Sequence, residues 1–161
     1  MTPQTRVLLL RAYRICKSKY LTTTLSGFGA REYGGRWNSV GTGVVYLSDS
    51  ISLAALEVLA HTDGHTVPDG PHSVLTVEFP DDAFEVLDSS VLRPGWQSSP
   101  APEYLAAFGD EWVVVGEKPL LRVQSAIVPQ EFNYIFNPSH ALAKHIREID
   151  AQPFSFDSRL R

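Results

Sequence analysis

The feature that most constrains the fold is a glycine-rich stretch near the start of the chain. Residues 22–43 contain six glycines and show neither a helical nor a strand-like repeat of apolar residues. Residues 7–15 before this stretch and 44–48 after it are predicted to be strands. A long irregular segment between two elements of a compact domain is typically functional, so we expect part of a ligand site here.

The rest of the pattern indicates an α+β fold. Ser48, Asp49 or Ser50 is predicted to cap a helix that runs to about Thr62, because the apolar residues that follow recur at helical spacing. A second helix is predicted over 103–115. Further short strands and segments that close the sheet are predicted at 74–79, 120–123, 126–128, 141–149 and 154–156.

Composition and charge restrict the classes of function. A chain of 161 residues fits one domain, which we take to span 1–161. The net charge is −4 and no block of Lys or Arg is present, so direct nucleic-acid binding is not expected. The apolar run at 7–10 is too short for a signal peptide or a membrane span, so we expect a cytoplasmic protein. The single Cys16 excludes an intrachain disulfide, and no residue set has the spacing of a metal site.

Glu57 is the most informative single residue of the first predicted helix. It is the only charge between Leu53 and Ala60, and apolar residues surround it on nearly all sides of the helix. A solvent-facing glutamate is the ordinary interpretation, but this helix leaves little room for a solvent face. Because a buried carboxylate needs partners, a nearby arginine would satisfy Glu57, and the pair would mark a site.

Two arginines are candidates for anion binding. Arg36 follows two glycines, and its fork of donors could clamp a phosphate. Trp37 and Asn38 add an aromatic ring that packs or stacks and further donors. The segment fits neither a Walker loop nor a dinucleotide fingerprint, and a surface arginine beside a turn is the alternative. Arg14 lies in the first predicted strand, where an edge position facing water is the alternative to a central one.

Two polar residues near the end of the chain have more than one interpretation. Ser125 lies between two strand-like runs and lacks a G-x-S-x-G context, so a nucleophile elbow is not indicated. Alone, it is typical of a turn. Asn133 either orients polar groups or forms a turn.

Taken together, these segments resemble the RES domain family, named for its arginine, glutamate and serine. The resemblance extends over nearly the whole chain, and the arginine of the name corresponds to Arg14 or to Arg36. The matching segments are Tyr13-Arg14, Gly34-Gly35-Arg36-Trp37-Asn38 with Gly41, Val45-Tyr46, Ala55-Leu56-Glu57 with His61, Pro94-Gly95-Trp96, Pro102-Glu103-Tyr104, Gly109-Asp110 with Trp112, Leu121-Arg122-Val123, Ser125, Val128-Pro129, Glu131 with Asn133, and Asn137-Pro138.

The resemblance implies a fold similar to that of ADP-ribosyltransferase toxins, with two small, mostly antiparallel sheets around an NAD+ cleft and flanking helices. It implies the toxin of a type II toxin–antitoxin system, which depletes NAD+ as a glycohydrolase or, with inorganic phosphate as co-substrate, as a phosphorylase. No cofactor is implied. The implied partner is a cognate antitoxin protein that blocks the cleft. A protein ADP-ribosyltransferase is the first alternative, and a non-catalytic nucleotide-binding module is the second.

The resemblance also gives the candidate residues roles. Cleavage of the nicotinamide–ribose bond has an oxocarbenium-like transition state, which the Glu57 carboxylate would stabilise. Arg14 and Arg36 would hold the pyrophosphate and the nicotinamide ribose. The other predicted site residues are Tyr46, which would stack on the nicotinamide, Trp37 and Asn38, which would contact the substrate, and Ser125 and Asn133, which would orient Glu57 or the ribose.

Overall fold

The chain folds into the mixed α+β structure that its sequence pattern predicts. The computed structural model describes residues 3–4, 6–62 and 67–160. The strands in these ranges are β1 (Leu9–Lys17), β2 (Val45–Ser48), β3 (His72–Pro80), β4 (Phe84–Val86), β5 (Leu120–Gln124), β6 (Phe132–Phe136) and β7 (Arg147–Phe154). The α-helices are α1 (Phe28–Tyr33), α2 (Ile51–Ala60) and α3 (Glu103–Val115), and short 3₁₀ turns cover Ser18–Thr23, Ser89–Val91 and Ala143–His145.

The strands form one sheet in the order β4-β5-β6-β2-β1-β3-β7. Its pairs are antiparallel except β4 with β5, so the predicted mostly antiparallel pairing is confirmed. β1 pairs with β3 along its whole length, whereas β1 and β2 share only the pair Tyr13–Ser48. This pair joins one half of the sheet, β4-β5-β6-β2, to the other half, β1-β3-β7. The prediction of two separate sheets is therefore wrong. Since β1 and β2 diverge beyond this pair, a gap opens between the halves.

Apolar side chains pack on both faces of the sheet. One core joins β1 and β3 to β2, β5 and β6, and it buries Phe79 and Leu47 almost completely. The other core lies under α3, which buries Leu105 and Trp112 against β5 and β6. α2 packs through Ala54 against β1 and β3. The two longer helices are thus fixed to different halves of the sheet.

Both predicted helices are present, with limits close to those expected. α2 is capped by Ser50, one of the three predicted caps, whose Oγ accepts from the N–H of Leu53 at 3.0 Å. It ends at Ala60, within two residues of the predicted end at about Thr62, and α3 has the predicted limits. No helix in the described part of the chain is long and apolar enough to cross a bilayer.

Other predictions are corrected by the structure. The predicted strand at 126–128 is a turn, because Ser125 Oγ accepts from the N–H groups of Ile127 and Val128 at 3.1 Å each. Residues 141–149 contain a 3₁₀ turn before β7, and β7 ends at Phe154. The glycine-rich stretch is less irregular than expected, since it includes α1.

Candidate active site

A cleft of about 440 Å³ lies where β1 and β2 diverge. One part of its wall is formed by β1 and α2, and another part by the glycine-rich stretch and β2. The ends of β5 and β6 form the rest of the wall. Its volume is in the range of small-molecule sites. Six of the predicted site residues line the cleft, namely Arg14, Arg36, Trp37, Tyr46, Glu57 and Asn133. The other two, Asn38 and Ser125, do not line it.

Two neutral hydrogen-bond donors hold the Glu57 carboxylate at the cleft. Its Oε1 accepts from Asn133 Nδ2 at 2.7 Å and from Ser125 Oγ at 3.0 Å. The expectation that an arginine satisfies this carboxylate is wrong, since Glu57 forms no ion pair with any lysine or arginine of the described ranges. Because both hydrogen bonds fall on Oε1, the lone pairs of Oε2 are left for a ligand.

Ser125 and Asn133 are themselves oriented by the protein. Ser125 is fully buried, and its hydroxyl already accepts from two backbone N–H groups of the turn that follows, so its proton points to Glu57. Asn133 Oδ1 accepts from Ser48 Oγ at 2.8 Å, which directs the amide nitrogen toward Glu57. The position of the carboxylate is therefore fixed without a ligand.

Arg14 is a largely buried guanidinium without a carboxylate partner in the described chain. β1 has neighbours on both sides, so the edge-strand alternative for Arg14 is wrong. Its Nε donates to Thr24 Oγ1 at 2.7 Å, and its Nη1 donates to the carbonyl of Tyr46 at 3.0 Å. Burial lowers the pKa of Arg14. A desolvated cation with neutral partners favours an anionic ligand.

Arg36 donates to the main chain of the loop at 93–100. Its Nη1 donates to the carbonyl of Trp96 at 2.7 Å, and its Nη2 donates to that of Ser98 at 3.1 Å. Burial lowers the pKa of Arg36, and the negative charge of Glu57 opposes that shift. Both carbonyl acceptors are neutral, so a phosphate would be a stronger partner for the same fork of donors.

Asn38 and Tyr46 lock the turn that carries Arg36. Asn38 is 1% exposed, and its Nδ2 donates to three main-chain carbonyls of the glycine-rich stretch. Its Oδ1 accepts from the Tyr46 hydroxyl at 2.6 Å. Gly35 permits this arrangement, because an added Cβ would lie 2.6 Å from the Tyr46 hydroxyl oxygen. Asn38 therefore shapes the turn, whereas Tyr46 lines the cleft.

Trp37 belongs mainly to the core. It is 2% exposed and packs edge-on against Phe108 of α3, with ring centroids 6.2 Å apart. Its backbone N–H donates to the Tyr46 hydroxyl at 3.0 Å. Of the two alternatives, packing and stacking on a ligand, the structure favours packing.

Three residues of the cleft region were missed by the sequence analysis as site residues. Ser48 orients Asn133, Thr24 accepts from Arg14, and His61 lines the cleft. The spacing of four residues between Glu57 and His61 could have indicated His61, because such residues share one face of a helix. Ser48 and Thr24 carry no local signal, since their roles depend on pairing between distant segments.

The cleft therefore combines two guanidinium groups with one preoriented carboxylate. No cluster of three or more His, Cys, Asp or Glu residues suited to a metal ion is found in residues 3–4, 6–62 and 67–160. Such a site can hold a polyanion through the cations and stabilise a positive charge near the carboxylate.

Comparisons with known proteins agree on one family. The model of the RES domain matches residues 11–157. A protein of Photorhabdus laumondii named Toxin Res is 38% identical over 92% of this chain and 95% of its own length. The Prs ADP-ribosylating toxin of a Sphingobium species is 37% identical over 88% of this chain and 89% of its own length. A chain in the crystal structure of the M. tuberculosis MbcT–MbcA toxin–antitoxin complex has the same fold, with a TM-score of 0.75 and 17% identity over 92% of this chain and 86% of that one. The match to the family model and the similarity to the two named relatives show that the chain belongs to the RES domain family.

Proposed function

We propose that this chain is the toxin of a toxin–antitoxin system and that it cleaves the nicotinamide–ribose bond of NAD+. One observation carries the proposal. The oriented carboxylate of Glu57 faces the same cleft as Arg14 and Arg36, which have no carboxylate partner in the described chain. A dinucleotide supplies the complementary groups, because its pyrophosphate suits the cations and its ribose can bring a developing positive charge to the carboxylate.

The two arginines hold the anionic part of the substrate in this proposal. Arg14 uses Nε and Nη1 on protein acceptors, which leaves Nη2 for a phosphate or ribose oxygen. Arg36 exchanges the carbonyls of Trp96 and Ser98 for phosphate oxygens. The exchange is favourable because charge-assisted bidentate contacts are stronger than contacts to neutral carbonyls.

Glu57 acts on the sugar. As the bond between the ribose and nicotinamide breaks, its electron pair leaves with the ring nitrogen and positive charge moves onto the ribose. The ionised Glu57 stabilises that charge more in the transition state than in the bound substrate, as catalysis requires. Nicotinamide leaves as a neutral molecule, so no general acid is needed. Tyr46 lines the cleft, and its ring would stack on the nicotinamide.

The names of the relatives support a toxin that acts on NAD+. Two of them are toxins by name, and ADP-ribosylation, from which the Sphingobium protein is named, takes ADP-ribose from NAD+ by breaking the same bond. The M. tuberculosis structure of the same fold is a toxin–antitoxin complex, which supports a cognate antitoxin for this chain. That this antitoxin covers the cleft is part of the proposal. That the fold is similar to that of ADP-ribosyltransferase toxins is part of the same proposal.

The acceptor of the ADP-ribosyl group defines the alternatives. Water gives ADP-ribose, and inorganic phosphate gives ADP-ribose 1″-phosphate. A protein side chain gives a modified protein, and the name of the Sphingobium relative favours this as the second candidate. A module that binds the nucleotide without turnover is the remaining alternative.

Product analysis tests the proposal. Purified protein is incubated with NAD+ labelled in the adenylate, with and without inorganic phosphate, and the products are separated by chromatography. We expect release of nicotinamide together with ADP-ribose or its phosphate. Label that enters protein only would indicate the transferase, and NAD+ that binds but stays intact would refute cleavage.

A further inference from the structure

His61 lies at the cleft one helical turn after Glu57. It is the C-cap residue of α2, its side chain is exposed, and it lines the same cleft as the carboxylate. Residues four positions apart on a helix are neighbours on one face. A group that acts on a molecule approaching Glu57 from solvent therefore has a suitable place here.

The hydrogen bonding of the His61 ring defines its chemistry. Nδ1 lies 2.6 Å from the backbone carbonyl oxygen of Glu57. A carbonyl oxygen can only accept, so Nδ1 carries the proton, and Nε2 of the neutral ring has a lone pair. Within the described part of the chain, no hydrogen-bond partner engages Nε2. The ring is thus held in the tautomer that can accept a proton from a ligand.

Other polar groups of the cleft are less suited to this task. The Tyr46 hydroxyl donates its proton to Asn38, and burial raises its pKa, which keeps the phenol neutral. The Ser125 proton points to Glu57. Thr62 lines the cleft beside His61, but its hydroxyl donates to the carbonyl of Leu59.

We propose that His61 is the general base that activates the acceptor, and that the acceptor is therefore a neutral molecule that carries a proton, of which water is the smallest. This inference rests on the proposed cleavage of NAD+. In the step, an oxygen lone pair of water forms the new bond to C1″ of the ribose while the bond to nicotinamide breaks. The nicotinamide leaves neutral with the electron pair, and the proton of the attacking water passes to His61 Nε2. Anionic acceptors need no such base.

Azide provides the test, because it is an anionic nucleophile that attacks without losing a proton. The full chain is incubated with NAD+ and sodium azide, and the ratio of ADP-ribosyl azide to ADP-ribose is measured. His61→Asn is the main variant, since its amide nitrogen can still donate to the Glu57 carbonyl while the base is lost. We expect the ratio to rise at least about tenfold, because general bases contribute factors of about a hundred or more. His61→Gln should shift the ratio in the same direction, and His145→Asn, a change at an exposed histidine outside this cleft, should leave it unchanged.

The outcomes separate this inference from the proposed function. A wild-type protein that leaves NAD+ intact refutes both. Wild-type hydrolysis with an unchanged product ratio in His61→Asn refutes only the role of His61, whether or not the total rate falls, because a purely structural role lowers both products together. A wild-type protein that makes ADP-ribose 1″-phosphate and no ADP-ribose refutes the inferred class of acceptor.

Discussion

The cleft presents the carboxylate of Glu57 and the guanidinium of Arg36 in different ways. Glu57 is on a regular helix and is held by Asn133 of β6 and by Ser125, which is fully buried. Arg36 lies in a turn of the glycine-rich stretch, and its partners are carbonyls of a loop about sixty residues further along the chain. The first arrangement is complete without a ligand, whereas the second must exchange partners when an anion binds.

This difference predicts different kinetic effects for the carboxylate, which is oriented before substrate binds, and for the arginine, which binds the substrate. A preoriented group stabilises the transition state without rearrangement, so its loss should lower kcat. A group that exchanges protein partners for substrate contributes only the difference between the two sets of hydrogen bonds, so its loss should appear mainly in KM. The following predictions test that division.

The largest effect is expected for Glu57→Gln. The variant keeps the shape of the side chain and removes the charge that stabilises the ribose cation. We expect kcat for NAD+ to fall at least about a hundredfold, the scale of one strong electrostatic contact in a transition state. Steady-state release of nicotinamide measures the change. Glu32→Gln, at an exposed position of α1, is the matched control and should keep wild-type kcat. Near-normal turnover of a folded Glu57→Gln protein would remove this carboxylate from the mechanism.

Arg36→Ala is expected to have the next largest effect, on kcat/KM. A hydrogen bond to a charged group contributes about 2 kcal/mol, which corresponds to roughly a thirtyfold loss. Because the contact is a binding contact, most of the loss should be a higher KM. Arg31→Ala removes an exposed arginine of α1 and should leave the kinetics unchanged. Equal kinetics of Arg36→Ala and Arg31→Ala would show that Arg36 only holds the loop.

Asn133→Ala should have a smaller effect than Arg36→Ala, and the effect should be on kcat and not on KM. The variant deletes the 2.7 Å hydrogen bond to Glu57 but leaves the one from Ser125. We expect kcat to fall about tenfold, or about 1.4 kcal/mol, with little change in KM. Initial rates over a range of NAD+ concentrations separate the two constants. A higher KM at unchanged kcat would mean that Asn133 binds substrate directly and does not orient the carboxylate.

Local periodicity predicted the regular part of this fold and the unusual residues on it. α2 and α3 were indicated by apolar spacing, and Glu57 was conspicuous as the only charge in an apolar helix. α1 was missed because six residues are too few for a periodic signal, and its ends are set by Gly27 and Gly34 with positive φ values of 78° and 73°. Residue type and spacing thus identified charged side chains that line the cleft.

Partners from distant segments were not predictable in this way. The single Tyr13–Ser48 pair makes one sheet out of two expected ones, and it depends on register between strands separated by the glycine-rich stretch. Asn38 was expected to contact substrate, but its amide is used on the turn itself, which only the three-dimensional arrangement of the carbonyls reveals. The hydrogen bonds from Arg36 to the carbonyls of the loop at 93–100 were not predictable for the same reason. Local spacing carries no information on such long-range hydrogen bonds.

The smallest predicted effect concerns the stability of the glycine turn and its dependence on pH. Asp110 of α3 accepts from the N–H of Ser39 at 2.9 Å and so attaches the turn to the helix. Burial would raise the pKa of Asp110, but hydrogen bonds from Ser39 and Thr42 outweigh burial and lower it. A lowered folded-state pKa gives stability that is present above the unfolded value of about 3.9 and is lost as the pH falls through the folded value. Asp110→Asn should therefore lower the free energy of unfolding by about 1 kcal/mol at pH 7 and by less near pH 3, as measured by urea denaturation. Glu111→Gln, at the adjacent exposed position, is the control. An equal loss at both pH values would mean that the charge of Asp110 does not hold the turn, and the glycine side of the cleft would then rest on neutral contacts, as the Glu57 side does.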